Sequence, residues 1–271
     1  MERIATSVSQ LMGIRQGEGE RTALAAAYHL AFVAAVVLVK SASNALVVSR
    51  FKAEALPLLY VASAIATGLA AWSVATVGRH RSLGFPRQGL ILGAASLGGL
   101  ALALHAGWRA PVIVLYLFGE AIATLVSIRF WGAASEIFDP RAGRRIFGIL
   151  GAAGMVGAIL AGLAAQLLGP VIGAVGLLPL GAGCLLAGVL AAQRLRKMQG
   201  GKPAPSARSN RAAPAGGNRE ARAYLLKNRY PRALATLMLL LAALTALADY
   251  VFRHQAGERY TEAELAALFG A

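Results

Sequence analysis

A few polar and ionisable side chains interrupt long apolar stretches of this sequence, and their spacing suggests a binding site. Lys40 and Asn44 are four residues apart with Ser43 beside them, and His29, 11 residues earlier, falls on the same helical face. Glu120 lies about nine residues into another apolar stretch. Ionisable groups at membrane depth are costly and usually face a helix-bundle interior or a watery cavity. We therefore expect Lys40 to attract anionic groups, Ser43 and Asn44 to donate hydrogen bonds, and Glu120 to serve in substrate binding, coupling or gating.

Structural explanations compete with this one. Lys40 lies towards one end of its apolar stretch, so its ammonium could extend to the membrane interface while its stem stays in lipid. The Glu120 carboxyl could be paired with another helix. Arg129 points away from Glu120 and shares a helical face with Glu136. That pair has either a structural role or a role in coupling or gating.

The elements that carry these residues are those of a membrane protein. The chain has 271 residues, of which 57% are hydrophobic and 14% charged, and its mean hydropathy is +0.60. Apolar stretches long enough to cross a bilayer recur, rich in Gly, Ala and Leu and without the alternation of a membrane β-barrel. We predict an all-α polytopic membrane protein. Its seven predicted spans are residues 22–48, 56–77, 88–106, 111–131, 146–168, 171–192 and 233–252.

The distribution of basic residues predicts the orientation. The loop at 78–87 carries three arginines and no acid, and the loop at 139–145 carries three, among them Arg144 and Arg145, against one acid. Basic loops stay in the cytoplasm. The first 21 residues are too polar for a secretory signal, so the first span is expected to be retained. These features predict a multi-pass protein of the cell inner (plasma) membrane with a cytoplasmic N-terminus. Arg144 and Arg145 are further candidates for coupling or gating.

Residues 194–232 form a basic segment that divides the chain. It has 11 lysines or arginines, one acid, and many Gly, Pro and Ser residues, which is typical of a flexible linker. The predicted units are a six-helix transmembrane half at 1–193, a cytoplasmic linker at 194–232, and a seventh helix with a short amphipathic tail at 233–271. The net charge of +15 is explained by topology and membrane lipid rather than by nucleic acid, because no nucleic-acid-binding motif accompanies it.

Motifs of soluble enzymes do not occur in the sequence. It has no phosphate-binding P-loop and no His-Glu-x-x-His zinc motif. The nearest approach to a serine-hydrolase motif is "AASLG" at 94–98, where an alanine replaces the first glycine. Small residues of this kind also pack membrane helices together. The sequence therefore predicts a protein that is not an enzyme, with no catalytic residues, metal or cofactor.

Three stretches together resemble the ATP/ADP translocase family of bacteria and plastids, which is related to the major facilitator superfamily. They are "LVKSASNALVVSRFKAEALPLLYV" at 38–61, "GEAIATLVSIRFWGAASEIFDPRAGRRIFGILGAAGMVG" at 119–157, and "DYVFRHQAGERYTEAELAALFG" at 249–270. The resemblance implies a major-facilitator-like fold whose first span ends in substrate-contacting charges. The family carries Arg, Asp, Lys and Asp there, whereas this chain has Lys40, Ser41, Ser43 and Asn44.

The resemblance implies nucleotide transport of the ATP/ADP type, or transport of another anionic metabolite, by alternating access. The family has about 12 spans and this chain has seven predicted ones, which corresponds to one six-helix half and the first helix of a second. A second half-transporter chain is a possible partner. The alternatives are a fragment of a longer transporter, or a non-transporting membrane anchor or interaction module derived from the same fold.

Overall fold

The computed structural model describes residues 18–51, 56–77, 87–108, 110–138, 140–198 and 227–270, and all regular elements in these ranges are α-helices. In chain order they are α1 (Gly19–Arg50), α2 (Leu56–Val77), α3 (Arg87–His105), α4 (Ala110–Ile137), α5 (Pro140–Met198), α6 (Arg229–Arg259) and α7 (Glu262–Leu268). Within these ranges, six helices are long and apolar enough to cross a membrane. The prediction of an all-helical, multi-pass membrane chain is confirmed at this level. Residues 199–226, most of the predicted linker, lie outside the described residues.

Helix boundaries follow the apolar pattern closely. The second helix begins and ends where predicted, at Leu56 and Val77, and α1 extends the first predicted span by two or three residues at each end. The fourth helix continues to Ile137, six residues beyond its predicted end at Trp131. Helices can project past the apolar zone because their backbone hydrogen bonds are internal, so the end of an apolar stretch is not the end of the helix.

Helix α1 is the central element of the bundle. More than half of its most apolar window is buried, whereas none of the corresponding window of α6 is. Its most extensive interface is with α5, and it also contacts α4, α6 and α7. Because α1 is surrounded in this way, polar side chains on it can reach neighbours on several helices.

The long helix α5 reverses direction at Gly173. This residue has φ 70° and ψ 173°, which breaks the helix. Near its start, the first arm accepts a hydrogen bond from His29 of α1 at the Leu150 carbonyl. Further along this arm, Gly162 lies against Gly270, next to the Phe269 carbonyl that lies 3.0 Å from Ser41 of α1. In the second arm, Gly181 lies against Val39, and Gly188, further along, lies against Ala31. The order of contacts along α1 is reversed between the arms, so they are antiparallel. The turn predicted near 169–170 therefore occurs a few residues later.

Small residues allow α5 to approach its neighbours closely. A Cβ atom built on Gly157 would overlap the Leu30 carbonyl group of α1. One built on Gly162 would overlap the backbone of Gly270, just after α7. Membrane helices associate mainly through such close packing, since lipid removes most of the hydrophobic drive between them. This packing fixes the rotation of α1 and the faces it presents to the other helices.

Helices α6 and α7 join the bundle at one end only. Residues 229–248 of α6 are almost entirely exposed, and its buried residues are Arg253 and Ala256. The short helix α7 turns back and lies along α1 and the first arm of α5. Five side-chain contacts between α6, α7 or the residues just after α7 and the other helices lie near the C-terminal half of α1. That end of the bundle is the place where a site between the two parts of the chain is built.

Candidate functional site

Lys40 and Glu120 form an ion pair between α1 and α4. The Lys40 Nζ atom lies 2.9 Å from Glu120 Oε1, and the two side chains are 46% and 27% exposed. The helices are antiparallel here, since His29 stacks on Phe130 11 residues back along α1 and ten residues on along α4. Each charge neutralises the other, which is the usual condition for ionisable groups at membrane depth. Two residues singled out from the sequence are thus brought together.

One helical turn further along α1, Asn44 binds an arginine of α6, one residue beyond the seventh predicted span. Arg253 Nη1 donates a hydrogen bond to Asn44 Oδ1 at 2.8 Å, and Arg253 Nη2 lies 2.8 Å from Asp249 Oδ2. The same Asp249 oxygen accepts a hydrogen bond from the Tyr60 hydroxyl of α2 at 2.8 Å. These bonds connect α1, α2 and α6 through one buried guanidinium.

Aromatic rings surround this guanidinium. The Arg253 Cζ atom lies 5.8 Å from the ring centroid of Tyr60, 6.0 Å from that of Tyr116 and 5.8 Å from that of Phe269. Ring faces within about 6 Å attract a cation, more strongly when water is excluded. Tyr116 also interacts electrostatically with Glu120, one turn further along α4. The Lys40–Glu120 pair and the Arg253 cluster are therefore neighbours, and we refer to Lys40, Asn44, Tyr60, Tyr116, Glu120, Asp249 and Arg253 as the charged network.

The serines of α1 bond to backbone carbonyls at the edge of the charged network. The buried Ser43 hydroxyl donates to the Lys40 carbonyl at 3.1 Å, within α1. Ser41 donates to Val37 O at 2.9 Å and lies 3.0 Å from Phe269 O after α7. The predicted role of Ser43 as a donor to substrate stays a prediction, since its proton is directed at the helix in this structure.

Helix α7 closes the same end of the bundle. Glu262 accepts a hydrogen bond from Ser49 at 3.3 Å and lies 3.7 Å from Arg50 Nε. Thr261 and Glu264 form a capping box that satisfies the first free N–H groups of the helix. The backbone N–H and hydroxyl of Thr261 hold the pKa of the Glu264 carboxyl below its usual value. At neutral pH the Glu264 carboxylate is therefore charged and keeps its bonds to Thr261 at the start of α7.

His29 belongs to a different cluster from Lys40. Its Nδ1 atom lies 2.8 Å from the Leu150 carbonyl of α5, so Nδ1 carries the proton and donates. Its ring stacks on Phe130, with centroids 4.3 Å apart, and meets Trp131 edge-on at 5.4 Å. Eleven residues of α-helix separate it from Lys40, roughly 16 Å. Both side chains meet α4, but the histidine serves α1–α5 packing at a distance from the charged network.

The other sequence candidates lie away from the charged network. Arg129 is half-buried on α4, beyond Glu120. Arg145 lies 3.9 Å from Glu18, which ties the start of α5 to the start of α1. The side chains of Glu136 and Arg144 lie outside the described residues, so their assignment to coupling or gating stays a prediction, as does that of Arg129 and Arg145.

Sequence reasoning missed Asp249 and Arg253, and with them Tyr60 and Tyr116. A signal was present, because an acid and a base four residues apart near the end of an apolar span can pair on one helical face and mark it as buried. The tyrosines carried no such signal, since tyrosine is common in membrane helices, especially near their ends. Within the described ranges, no group of three or more His, Cys, Asp or Glu side chains could hold a metal ion.

Comparison with known proteins finds no match. No family model matches the sequence, no curated protein is significantly similar to it, and no solved structure matches its fold. The function has to be argued from the charged network itself. Chemically, the charged network offers two cations, two carboxylates, an amide and two phenols where four apolar helices meet, which suits the binding of a polar or charged solute.

Proposed function

We propose that this chain is a membrane transporter of major-facilitator-like build that moves an anionic metabolite by alternating access, with a nucleotide of the ATP/ADP type as the first candidate. The observation that carries the proposal is the position of the charged network. It joins the helices before the linker, through Lys40, Asn44 and Glu120, to the helix after it, through Arg253. Transporters of this kind bind their substrate between two such parts.

The layout of the helices supports the same proposal. If the antiparallel arms of α5 on either side of Gly173 are counted separately, six apolar helical segments precede the linker and one follows it. This is the arrangement of a six-helix half followed by the first helix of a second half, with a further half-transporter chain as a possible partner. The positive-inside pattern gives it a cytoplasmic N-terminus in the inner (plasma) membrane.

Lys40 is the residue on which the proposal is tested. The purified chain is reconstituted into proteoliposomes, and uptake of labelled ATP, ADP and glutamate is measured. Hydrogen bonds to charged groups contribute about 1.5–3 kcal/mol, so Lys40→Ala should lower uptake about 10- to 100-fold. The matched control is Arg259→Ala, which removes an exposed cation of α6 outside the charged network and should change uptake less than about twofold. A wild-type chain that takes up none of these anions would overturn the proposal.

A second candidate function is that of a non-transporting membrane anchor or interaction module. It is favoured by the pairing of both network cations with acids, Lys40 with Glu120 and Arg253 with Asp249, which is sufficient for purely structural charges. The double variant Lys40→Met with Glu120→Met discriminates between the two. An anchor would insert and fold with this neutral, apolar replacement and show no anion uptake before or after it, whereas a transporter would insert and fold but lose the uptake that the wild-type chain shows.

A further inference from the structure

The Arg253 guanidinium has a hydrogen-bonding edge that is only half occupied. The residue is 8% exposed. Its Nη1 donates to Asn44 and its Nη2 lies against Asp249. The buried Nε has no hydrogen-bond partner within the ranges that the structure describes. A buried donor without a partner costs free energy, so this N–H group calls for an explanation other than stability.

The free Nε lies on the side of the guanidinium that best matches an oxyanion. Guanidinium presents N–H groups in a rigid planar fork, and carboxylate and phosphate groups bind it through two parallel hydrogen bonds. Nε and Nη2 form one such pair of donors. The recorded contact of Asp249 uses one oxygen, Oδ2, which lies 2.8 Å from Nη2 and also accepts from Tyr60 at 2.8 Å. Asp249 therefore binds Tyr60 and Nη2 through the same oxygen, and the second donor of the fork, Nε, has no hydrogen-bond partner within the ranges that the structure describes.

The surroundings suit a ligand that carries a second negative charge. Lys40 lies one helical turn from Asn44 on α1, is half-exposed, and is held by Glu120 at 2.9 Å. Residues one turn apart have Cβ atoms roughly 5–6 Å apart, and Arg253 contacts Asn44 directly. Two cations thus flank Asn44, one on the same helix and one bonded to it, and each is paired with a carboxylate of the chain itself. The ring of Phe269 lies over the guanidinium on a further side.

We propose that Arg253 is the centre of an oxyanion-binding site in which Asp249 occupies the place of the ligand when the site is empty. A phosphate or carboxylate group binds Nε and Nη2 together and displaces Asp249 from Nη2, and Asp249 keeps its bond from Tyr60. A second anionic group on the same ligand reaches Lys40 in exchange for Glu120. The inference rests on the proposed function and deepens it, because it assigns the site to α6, the helix that contains the seventh predicted span, and states what holds it closed.

The test measures binding without transport. The full chain is purified in detergent, and its thermal unfolding is followed by tryptophan fluorescence in pyrophosphate, in succinate, and in sodium chloride of equal ionic strength. A ligand that binds the folded chain raises the Tm with its concentration. We expect a rise with pyrophosphate or succinate beyond that in chloride, and the difference between the two identifies phosphate or carboxylate as the preferred group.

Two variants test the competition. Asp249→Asn removes the competing charge and keeps the shape of the side chain, so the dissociation constant should fall about tenfold. Arg253→Lys keeps the charge but removes the fork, so binding should weaken about 10- to 100-fold. The matched control, Arg259→Gln, lies six residues further along α6 at an exposed position and should bind as the wild type does. Should Arg253→Lys unfold, Asp249→Asn alone decides, since it removes no donor from Arg253.

Particular outcomes overturn this inference. Equal affinity of Asp249→Asn and wild type for both probes would show that Asp249 does not compete with a ligand. Unchanged binding by a folded Arg253→Lys variant would show that the fork is not used. Uptake that depends on Lys40, together with unchanged binding in Arg253→Lys, would overturn the Arg253 site and leave the proposed function standing. Binding that depends on Arg253 in a chain without uptake would support the site and overturn transport.

Discussion

Replacement of Gly173 by alanine should destabilise the chain although no side chain is in the way. A Cβ atom at this position meets no atom within 4 Å. The cost comes from the backbone, because φ 70° with ψ 173° is a conformation open almost only to glycine. Backbone strain of this kind costs about 1–3 kcal/mol. We take about 2 kcal/mol as the expected loss for Gly173→Ala, or roughly a 30-fold change in the unfolding equilibrium.

The matched control is Gly183→Ala on the second arm of the same helix. Gly183 also meets no atom within 4 Å, and its backbone φ is not positive. Alanine there should be neutral or slightly stabilising, because it favours a helix over glycine by up to about 1 kcal/mol. The assay is reversible unfolding by sodium dodecyl sulfate in mixed micelles, followed by loss of helical circular dichroism. The difference between the two variants isolates the strain at Gly173 from the general effect of adding a methyl group.

Equal stability of the two variants would refute the reasoning. It would mean that residue 173 has an ordinary helical conformation, and the two arms of α5 could not then fold back along α1 in opposite directions. The six apolar segments that precede the linker depend on that reversal.

Two other predictions follow from the contacts of α1. Gly157→Ala should lower the free energy of unfolding by about 1–3 kcal/mol in the same assay, because its Cβ would overlap the Leu30 carbonyl. Gly148→Ala adds a methyl group in open space and should leave this free energy unchanged. Equal losses in the two variants would contradict the close approach of α1 and α5. Lys40→Glu and Glu120→Lys should each lower the free energy of unfolding in the same assay by placing like charges together, and the double exchange should restore it, with a coupling of about 0.5–3 kcal/mol. A double variant whose loss equals the sum of the two single losses would exclude the ion pair.

The helices were predictable from sequence because apolar length is the dominant signal in a membrane chain. The bounds of α2 at Leu56 and Val77 were read without error. The reversal at Gly173 was placed a few residues early, at Gly169 and Pro170. Proline is tolerated in membrane helices, where neighbouring groups re-satisfy the freed carbonyl, so Pro170 marked the neighbourhood of the turn and not its position. The sequence has 31 glycines, and the packing around Gly173 determines that this one carries the reversal.

The candidate site was predictable only where both partners already stood out as polar residues in apolar helices. Lys40, Asn44 and Glu120 were found in this way, and the structure joins the first and third directly. The bond between Asn44 and Arg253 connects residues 209 positions apart. Helices that are apolar on every side carry no moment that fixes their rotation. The face of α6 that meets α1 therefore depends on three-dimensional packing, and the local sequence pattern of α6 does not show it.

Charge balance couples ligand binding to movement in the proposed mechanism. Each network cation is paired with one acid. Separation of α1 from α4 breaks the Lys40–Glu120 pair, whereas separation of α6 from α1 takes Asn44 from Arg253 and leaves it paired with Asp249 of its own helix. An uncompensated charge in this environment is costly, and the paired state is therefore held closed. A ligand that supplies its own negative charges to Lys40 and Arg253 releases Glu120 and Asp249, and those acids then require protons or other cations. Binding of an anion at this site and release of its closing contacts are thus one event, which is the coupling that alternating access requires.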